Sequence, residues 1–266
     1  MRLDDVQGFV FDVDGTLVHR AGTQAHVQPG ALEVLARIRA SGRPLAVFTN
    51  GSHEPPETFA AGLRDVGLEL ADEEMLTPLR SVQSYLRARD GDGSMFLLAN
   101  ERVRDWLERA GLRITDAEDA DAVFVAHVDT VEFERLERAA RAVLAGAELL
   151  TASYAPAYAG AEGPILSRGA MTAAAIAKAS STEPVIVGKP SHAALETISD
   201  RLGAAPATLA VIGDDLGMDI ALGKLGGART ILVRSGISGG LDLEGIPVAS
   251  RPDAVVDGVE ELLDWL

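Results

Sequence analysis

Residues 8–17 read Gly-Phe-Val-Phe-Asp-Val-Asp-Gly-Thr-Leu, and this stretch decides the class of fold. Its first four residues form a short apolar run that predicts a buried strand, and the acidic residues and glycine behind them predict a loop. Asp12 and Asp14 therefore stand at the carboxyl-terminal tip of a strand. In open parallel sheets, ligands bind outside the carboxyl ends of the strands. The stretch predicts an α/β protein with a functional site at this loop.

Strands and helices alternate in two separate parts of the chain, one towards each end. The residues after Pro29-Gly30 are apolar at helical spacing, and Leu45–Phe48 forms a second buried strand that ends at Thr49-Asn50-Gly51. Further strands are predicted at residues 185–187, 209–212 and 230–233. This order predicts a doubly wound parallel sheet of the Rossmann-like kind.

The middle of the chain carries strands and helices of its own. Strands are predicted near residues 95–98 and 123–125, and helices near 103–110 and 131–144. We expect a smaller α/β domain inserted at residues 91–182, in a discontinuous core of residues 1–90 and 183–266. The polar stretches Arg89–Gly93 and Ser180–Thr182 are the predicted crossings between the two.

The composition limits the classes of partner. The chain has 266 residues, 47% hydrophobic and 24% charged, and cysteine is absent, which excludes disulfides, thiolate catalysis and cysteine-ligated metals. A net charge of −16 opposes binding to nucleic acid and to anionic lipid. No segment approaches the roughly 18 apolar residues of a membrane span, and the first residues lack the apolar run of a signal peptide. We expect a cytoplasmic protein without nucleic-acid or membrane partners, and a homodimer stays open.

The predicted strand ends carry a set of residues suited to phosphoryl transfer. Several carboxylates in one place repel one another, and Mg²⁺, which prefers oxygen ligands, would relieve that repulsion. Asp12 is the natural nucleophile for a covalent aspartyl-phosphate, and Asp14 is placed to donate and accept protons. The remaining candidates are phosphate-binding donors at Thr49 and Asn50, a charge-balancing Lys189 and a further metal ligand at Asp214.

These residues closely resemble the motifs of the haloacid dehalogenase superfamily of phosphohydrolases. The four motifs occur in order, as Asp12-Val13-Asp14-Gly15-Thr16, Thr49-Asn50-Gly51, Gly188-Lys189-Pro190, and Gly213-Asp214 with Asp219. The inserted segment resembles the α/β cap of the NagD-like branch, which includes para-nitrophenyl and phosphoglycolate phosphatases. The resemblance implies Asp12 as nucleophile and Asp14 as acid/base. It also implies Mg²⁺ held by Asp12, the main-chain carbonyl of Asp14 and the fourth-motif acids Asp214 and Asp219, with phosphate contacts from Thr49, Asn50, Gly51 and Lys189.

The inserted segment departs from the pattern of that branch, so the resemblance leaves the substrate open. Relatives often read Ala-Thr-Asn-Pro-Asp where this chain has Leu150–Tyr154, and Pro-Gly-x-Gly near Leu166–Ala170. We expect Arg168 to bind a second anionic group of the substrate, with Tyr154 and Tyr158 as further candidates. Two alternatives stay open for Asp215: it supports the metal site, or it is a polar turn residue. None of the five histidines has metal-ligand spacing.

The favoured function is a Mg²⁺-dependent phosphatase that cleaves a small phosphorylated metabolite. A phosphomutase or phosphotransferase is the first alternative, because an aspartyl-phosphate can also pass to a substrate hydroxyl. A receiver-type signalling module also uses acidic strand tips, a threonine and a lysine, but the length of the chain and the order of its motifs count against it. An inactive binding protein is less favoured still, because every motif acid and the lysine are present. A dehalogenase is also disfavoured, because Asp14 and the metal carboxylates suit phosphoryl transfer rather than attack on carbon.

Overall fold

The computed structural model describes residues 1–21, 24–89, 93–160 and 163–266, and the chain forms two compact units. The first unit comprises Met1–Thr49, Glu57–Leu76 and Lys189–Leu266, and the second comprises Asn50–Pro56 and Thr77–Gly188. Elements are numbered along the chain. In the described ranges, no helix combines the length and apolar character that a membrane crossing requires.

The first unit is built on a six-stranded parallel sheet. Its strands are β1 (Gly8–Phe11), β4 (Leu45–Phe48), β5 (Met75–Leu76), β13 (Leu209–Gly213), β14 (Arg229–Val233) and β15 (Ala254–Val256), in the order β15-β14-β13-β1-β4-β5. An antiparallel hairpin, β2 (Val18–Ala21) and β3 (Gln24–Val27), follows β1. The helices of this unit are α1 (Ala31–Ala40), α2 (Pro56–Asp65), α7 (His192–Leu202) and α8 (Ala221–Gly226).

Both faces of this sheet are covered, as in a doubly wound fold. Successive side chains of a strand point to opposite faces, so Phe9 and Phe11 enter one core while Val10 enters the other. The first core is closed by α1 and the C-terminal residues Val259 and Leu262. The second core is closed by α7 and α8. This confirms the predicted α/β class and explains why the strands read as continuous apolar runs.

The second unit has a parallel sheet of its own, with five strands in the order β12-β9-β8-β6-β7. They are β6 (Ser94–Leu98), β7 (Arg113–Thr115), β8 (Ala122–Val125), β9 (Glu148–Thr151) and β12 (Val185–Ile186). A hairpin pairs β10 (Ala157–Gly160) with β11 (Gly163–Leu166). The helices are α3 (Pro78–Arg87), α4 (Glu101–Arg109), α5 (Phe133–Leu144) and α6 (Arg168–Ser180), and alanines of α5 and α6 pack on one face of the sheet.

The second unit is larger than the insertion predicted at residues 91–182. It includes α3 on one side and β12 on the other. The strand predicted at residues 185–187 was expected in the core sheet, but Val185 and Ile186 pair with Leu150 and Thr151 of β9 instead. A short apolar run predicts a strand without naming its partner, which explains the difference. The crossing predicted at Arg89–Gly93 lies partly outside the described residues, at positions 90–92.

Candidate active site

Three neighbouring strands of the first unit end at the candidate catalytic residues. Asp12 directly follows β1, Thr49 follows β4, and Asp214 follows β13. Strand β1 lies between the other two, because it pairs in parallel with β13 on one side and with β4 on the other. Parallel strands bring their carboxyl ends to one edge of the sheet, and ligands bind there. The predicted convergence of these strand ends is therefore observed for three of them.

Lys189 reaches the same place, although it does not follow a strand of this sheet. Its ammonium Nζ donates to Asp12 Oδ1 at 2.5 Å, to Asp219 Oδ1 at 2.6 Å and to the Phe48 carbonyl at 2.8 Å. The side chain is only 3% exposed. An ammonium group has three N–H bonds, so these three acceptors satisfy it completely. A buried charge is tolerated when it is paired and hydrogen-bonded in this way.

Asp12, Asp214 and Asp219 form an acidic triad around this lysine. Each offers one carboxylate oxygen, and these oxygens lie within 4.8 Å of one another. In the part of the chain that the structure describes, no other group of three or more acidic or histidine side chains meets that spacing. Lys189 offsets only part of the negative charge, and oxygen donors suit a hard divalent cation. The triad therefore fits Mg²⁺.

The pKa shifts of the triad also favour the binding of a cation. Burial and the Asp219 carboxylate, opposed by a hydrogen bond from the Ile237 N–H, together raise the pKa of Asp214 to about 6. Burial also raises the pKa of Asp12 well above its ordinary value, against the opposing charge of Lys189. Burial alone would lower the pKa of Lys189, but the Asp12 and Asp219 carboxylates outweigh it and raise that pKa. The lysine therefore stays charged, and the site is short of positive charge.

Asp219 is held by the turn that carries it. Asp215 accepts hydrogen bonds from the main-chain N–H groups of Gly217 at 2.7 Å and Met218 at 3.2 Å, which caps the short helical segment Leu216–Ile220. The main-chain N–H of Asp215 donates to Asp219 Oδ2 at 3.1 Å. The Asp215 side chain therefore caps the turn and its main-chain N–H contacts Asp219, so the structure contains features of both alternatives. A Cβ at Gly213 would lie 2.2 Å from Asp219 Cγ, so this close approach requires glycine.

Asp14 and Thr49 are the remaining candidate residues of the first unit. Asp14 is exposed and its carboxylate is not a member of the acidic triad. The ligand that the resemblance implies for Asp14 is its main-chain carbonyl, so the two observations are compatible. Thr49 is partly buried, and its main-chain N–H donates to the Leu76 carbonyl at 3.2 Å, which ties the end of β4 to β5.

Three predicted contact residues belong to the second unit. Asn50 and Gly51 follow Thr49 directly, and the structure groups them with that unit. Arg168 begins α6, with its side chain 59% exposed, and its Nη1 donates to the Asp129 carbonyl at 2.9 Å. Tyr154 packs against the core of the second unit, whereas Tyr158 on β10 is exposed.

The sequence analysis missed the loop after β14. Ile237 donates its main-chain N–H to Asp214 Oδ2 at 2.6 Å, and Ser235 donates its hydroxyl to the Gly15 carbonyl at 2.6 Å. The strand at residues 230–233 was predicted, and the rule that ligands gather at carboxyl ends would have pointed to the residues after it. Residues 235–238 carry no acidic or basic side chain, so a search for charged motifs passed over them.

Comparison with known proteins agrees with this geometry. The family of haloacid dehalogenase-like hydrolases matches residues 9–113, and a second model of that family matches residues 186–262. Dihydroxyacetone phosphatase from Corynebacterium glutamicum is 27% identical over 96% of this chain and 90% of its own length. The ribonucleotide monophosphatase NagD from Escherichia coli is 28% identical over 97% of this chain and 98% of its own.

A solved structure extends the similarity to the fold. The p-nitrophenyl phosphatase from Archaeoglobus fulgidus superposes with a TM-score of 0.87 and 27% identity, covering 98% of this chain and 100% of that one. The matched family regions and these relatives together cover nearly the whole length of the chain. The chain belongs to the haloacid dehalogenase-like hydrolases, as a NagD-like phosphatase.

Proposed function

We propose that this protein is a Mg²⁺-dependent phosphatase that hydrolyses small phosphomonoesters through an aspartyl-phosphate on Asp12. The observation that carries the proposal is the buried arrangement at Lys189, which bonds the Asp12 and Asp219 carboxylates at 2.5 and 2.6 Å. The Asp214 carboxylate completes the acidic triad beside it. A nucleophilic carboxylate, a fixed cation and further oxygen ligands in one place suit attack on phosphorus.

Two half-reactions follow from the placement of the two motif aspartates. In the first, a carboxylate oxygen of Asp12 bonds to phosphorus while the bond from phosphorus to the ester oxygen breaks. Asp14 gives its proton to that leaving oxygen. In the second, Asp14 takes a proton from water, whose oxygen attacks the same phosphorus and releases inorganic phosphate with the Asp12 carboxylate restored. Lys189 holds Asp12 Oδ1 and so orients the nucleophile.

The residues that would hold Mg²⁺ are Asp12, Asp214 and Asp219, together with the main-chain carbonyl of Asp14. When bound, the ion supplies positive charge for the phosphoryl oxygens and for the attacking carboxylate. The chain adds its own donors for the phosphate group. We assign this role to Thr49, Asn50 and Gly51, whose hydroxyl, amide and main-chain N–H groups suit phosphoryl oxygens.

The substrate class is a small phosphorylated metabolite. Two relatives carry the names dihydroxyacetone phosphatase and ribonucleotide monophosphatase, which support an ester of this size. We assign substrate selection to the second unit, acting as a cap, with Arg168 for a second anionic group. A cytoplasmic location and a homodimer stay predictions from the sequence.

The proposal is tested by phosphate release from a panel of esters, with Mg²⁺ and with a chelator. The panel contains p-nitrophenyl phosphate, dihydroxyacetone phosphate, phosphoglycolate and nucleoside monophosphates. We expect release that requires Mg²⁺. A folded protein that releases no phosphate from any ester at saturating Mg²⁺ contradicts the proposal.

The nucleophile has a separate test in Asp12→Asn. The neutral amide is a poor nucleophile and a weaker metal ligand, so turnover should be lost while the fold tolerates a nearly isosteric change. Acid quenching during turnover of a labelled ester should trap phosphate on the wild-type protein and none on the variant. Asp65→Asn, at an exposed position of α2, is the matched control and should behave as wild type. Turnover of Asp12→Asn near the wild-type rate would rule out Asp12 as nucleophile.

A further inference from the structure

The loop after β14 contacts the metal-site acids, although none of the four motifs includes it. We call residues 235–238 the β14 loop. The main-chain N–H of Ile237 donates to Asp214 Oδ2 at 2.6 Å, and that of Ser238 donates to the Asp214 carbonyl at 3.1 Å. The buried Ser238 hydroxyl accepts from the Leu216 N–H at 3.1 Å, in the turn that carries Asp219. The loop therefore holds both the side chain and the main chain of Asp214.

Little space is left around the Asp214 carboxylate. A Cβ at Gly236 would lie 1.8 Å from Asp214 Oδ2 and 2.5 Å from Asp214 Cβ. A Cβ at Gly15 would lie 2.4 Å from the same Oδ2 atom. Gly236 is not among the glycines with positive φ. Space, rather than backbone conformation, therefore requires glycine at position 236.

The β14 loop also holds the loop of the first motif. The Ser235 hydroxyl donates to the Gly15 carbonyl at 2.6 Å. Gly15 lies between Asp14 and Thr16, in the motif that supplies the nucleophile. One short loop thus connects the segment that carries Asp12 with the carboxylate of Asp214. Both carboxylates belong to the acidic triad.

We propose that the β14 loop is a positioning element of the metal site, which holds the Asp214 carboxylate in the orientation that binds Mg²⁺. This inference rests on the proposed function, because it assumes that Asp214 is a ligand. The Ile237 N–H fixes one carboxylate oxygen, and the two glycines leave the carboxylate room for that orientation. Partners that orient metal ligands contribute strongly to affinity, and their loss typically weakens binding about 10–100-fold.

The first test compares two glycine substitutions by calorimetric titration of Mg²⁺ into substrate-free protein. Gly236→Ala places a methyl group against Asp214 and should raise the Kd for Mg²⁺ about tenfold or more. Gly240→Ala is the matched control, because a Cβ there meets nothing within 4 Å, and its Kd should equal that of wild type. Circular dichroism and thermal unfolding show whether each variant is folded.

The second test keeps the inference open to refutation if Gly236→Ala does not fold. Ser235→Ala removes the hydroxyl that bonds the Gly15 carbonyl and adds no bulk. Loss of one such hydrogen bond should raise the Kd for Mg²⁺ about two- to tenfold. Ser235→Thr keeps a hydroxyl and should restore most of the affinity. If the role of Ser235 were purely structural, Ser235→Ala would lower the unfolding midpoint and leave the Kd for Mg²⁺ unchanged.

The outcomes separate this inference from the proposed function. A wild-type protein that binds no Mg²⁺ overturns the proposed function and the inference together. A wild-type protein that binds Mg²⁺, with an unchanged Kd in folded Gly236→Ala, overturns the inference alone. If Gly236→Ala is unfolded, an unchanged Kd in Ser235→Ala overturns it in the same way.

Discussion

Lys189 is the residue on which the electrostatics of the candidate site depend. Its ammonium is buried, and its partners are two carboxylates and one carbonyl. Attraction between such charges compensates the cost of removing them from water only when the geometry is good and every hydrogen bond is made. Both conditions hold here. Removing the lysine would leave carboxylates buried without their cation.

We therefore predict that Lys189→Met lowers the free energy of unfolding by about 3–5 kcal/mol in the absence of Mg²⁺. Urea unfolding measures this loss. Lys224→Met is the matched control, because the Lys224 and Asp253 side chains of that ion pair keep 28% and 39% of their surface accessible to water, and solvent-accessible pairs contribute about 1 kcal/mol or less. Equal losses in the two variants would contradict the prediction.

Asp14 is the second residue with a testable chemical role. Asp14→Asn keeps the size and the main chain of the residue but removes the proton that the leaving group needs. We expect kcat to fall about 10²–10⁴-fold, the usual contribution of a general acid or base, with the Kd for Mg²⁺ unchanged because the implied ligand is the main-chain carbonyl. Steady-state kinetics and titration measure the two quantities. A fall of less than about tenfold would assign the proton transfer to water or to another group.

At the scale of the element, the turn Leu216–Ile220 shows how a cap serves a site. Asp215 accepts hydrogen bonds from two main-chain N–H groups of the turn, and its own N–H donates to Asp219. Asp219 in turn contacts Lys189. The cap therefore stabilises the turn and fixes one acid of the triad through the same residue.

We predict that Asp215→Ala lowers the free energy of unfolding by about 1 kcal/mol, the typical cost of losing an N-cap side chain. Asp215→Ser keeps a capping oxygen and should recover most of this loss. Denaturant titration of the two variants makes the comparison. Equal stability of Asp215→Ala and wild type would show that the cap contributes nothing to the turn.

At the scale of the whole molecule, the two units carry different parts of the proposed function. The acidic triad and Lys189 belong to the first unit, and Arg168 belongs to the second. The metal ligands and the residue proposed to select the substrate are thereby assigned to different units. A change at Arg168 should alter which ester is preferred and leave the Mg²⁺ requirement as it is.

Arg168→Ala tests this division. The Arg168 side chain is well exposed, and its ion pair with Asp129 contributes little to stability. We expect kcat/KM to fall more for phosphoglycolate, which carries a second anionic group, than for p-nitrophenyl phosphate. The Mg²⁺ concentration for half-maximal activity should not change. Equal losses for the two esters, or none, would place Arg168 outside substrate recognition.

The sequence by itself determined the α/β class and the candidate catalytic residues of the first unit. Apolar runs and motif spacing are local signals, and they located β1 and β4 at their observed bounds. They also placed Asp12 and Asp214 at strand ends, because the end of a strand is visible in the chain around it.

Only the tertiary structure decided which of these residues meet. Lys189 bonds Asp12 across 177 positions of the chain, and β12 joins the sheet of the second unit rather than the core sheet. The role of Asp215 and the contact of the β14 loop with Asp214 were equally hidden. Periodicity reports that a segment is buried, but its partners depend on the packing of distant segments, which no local pattern contains.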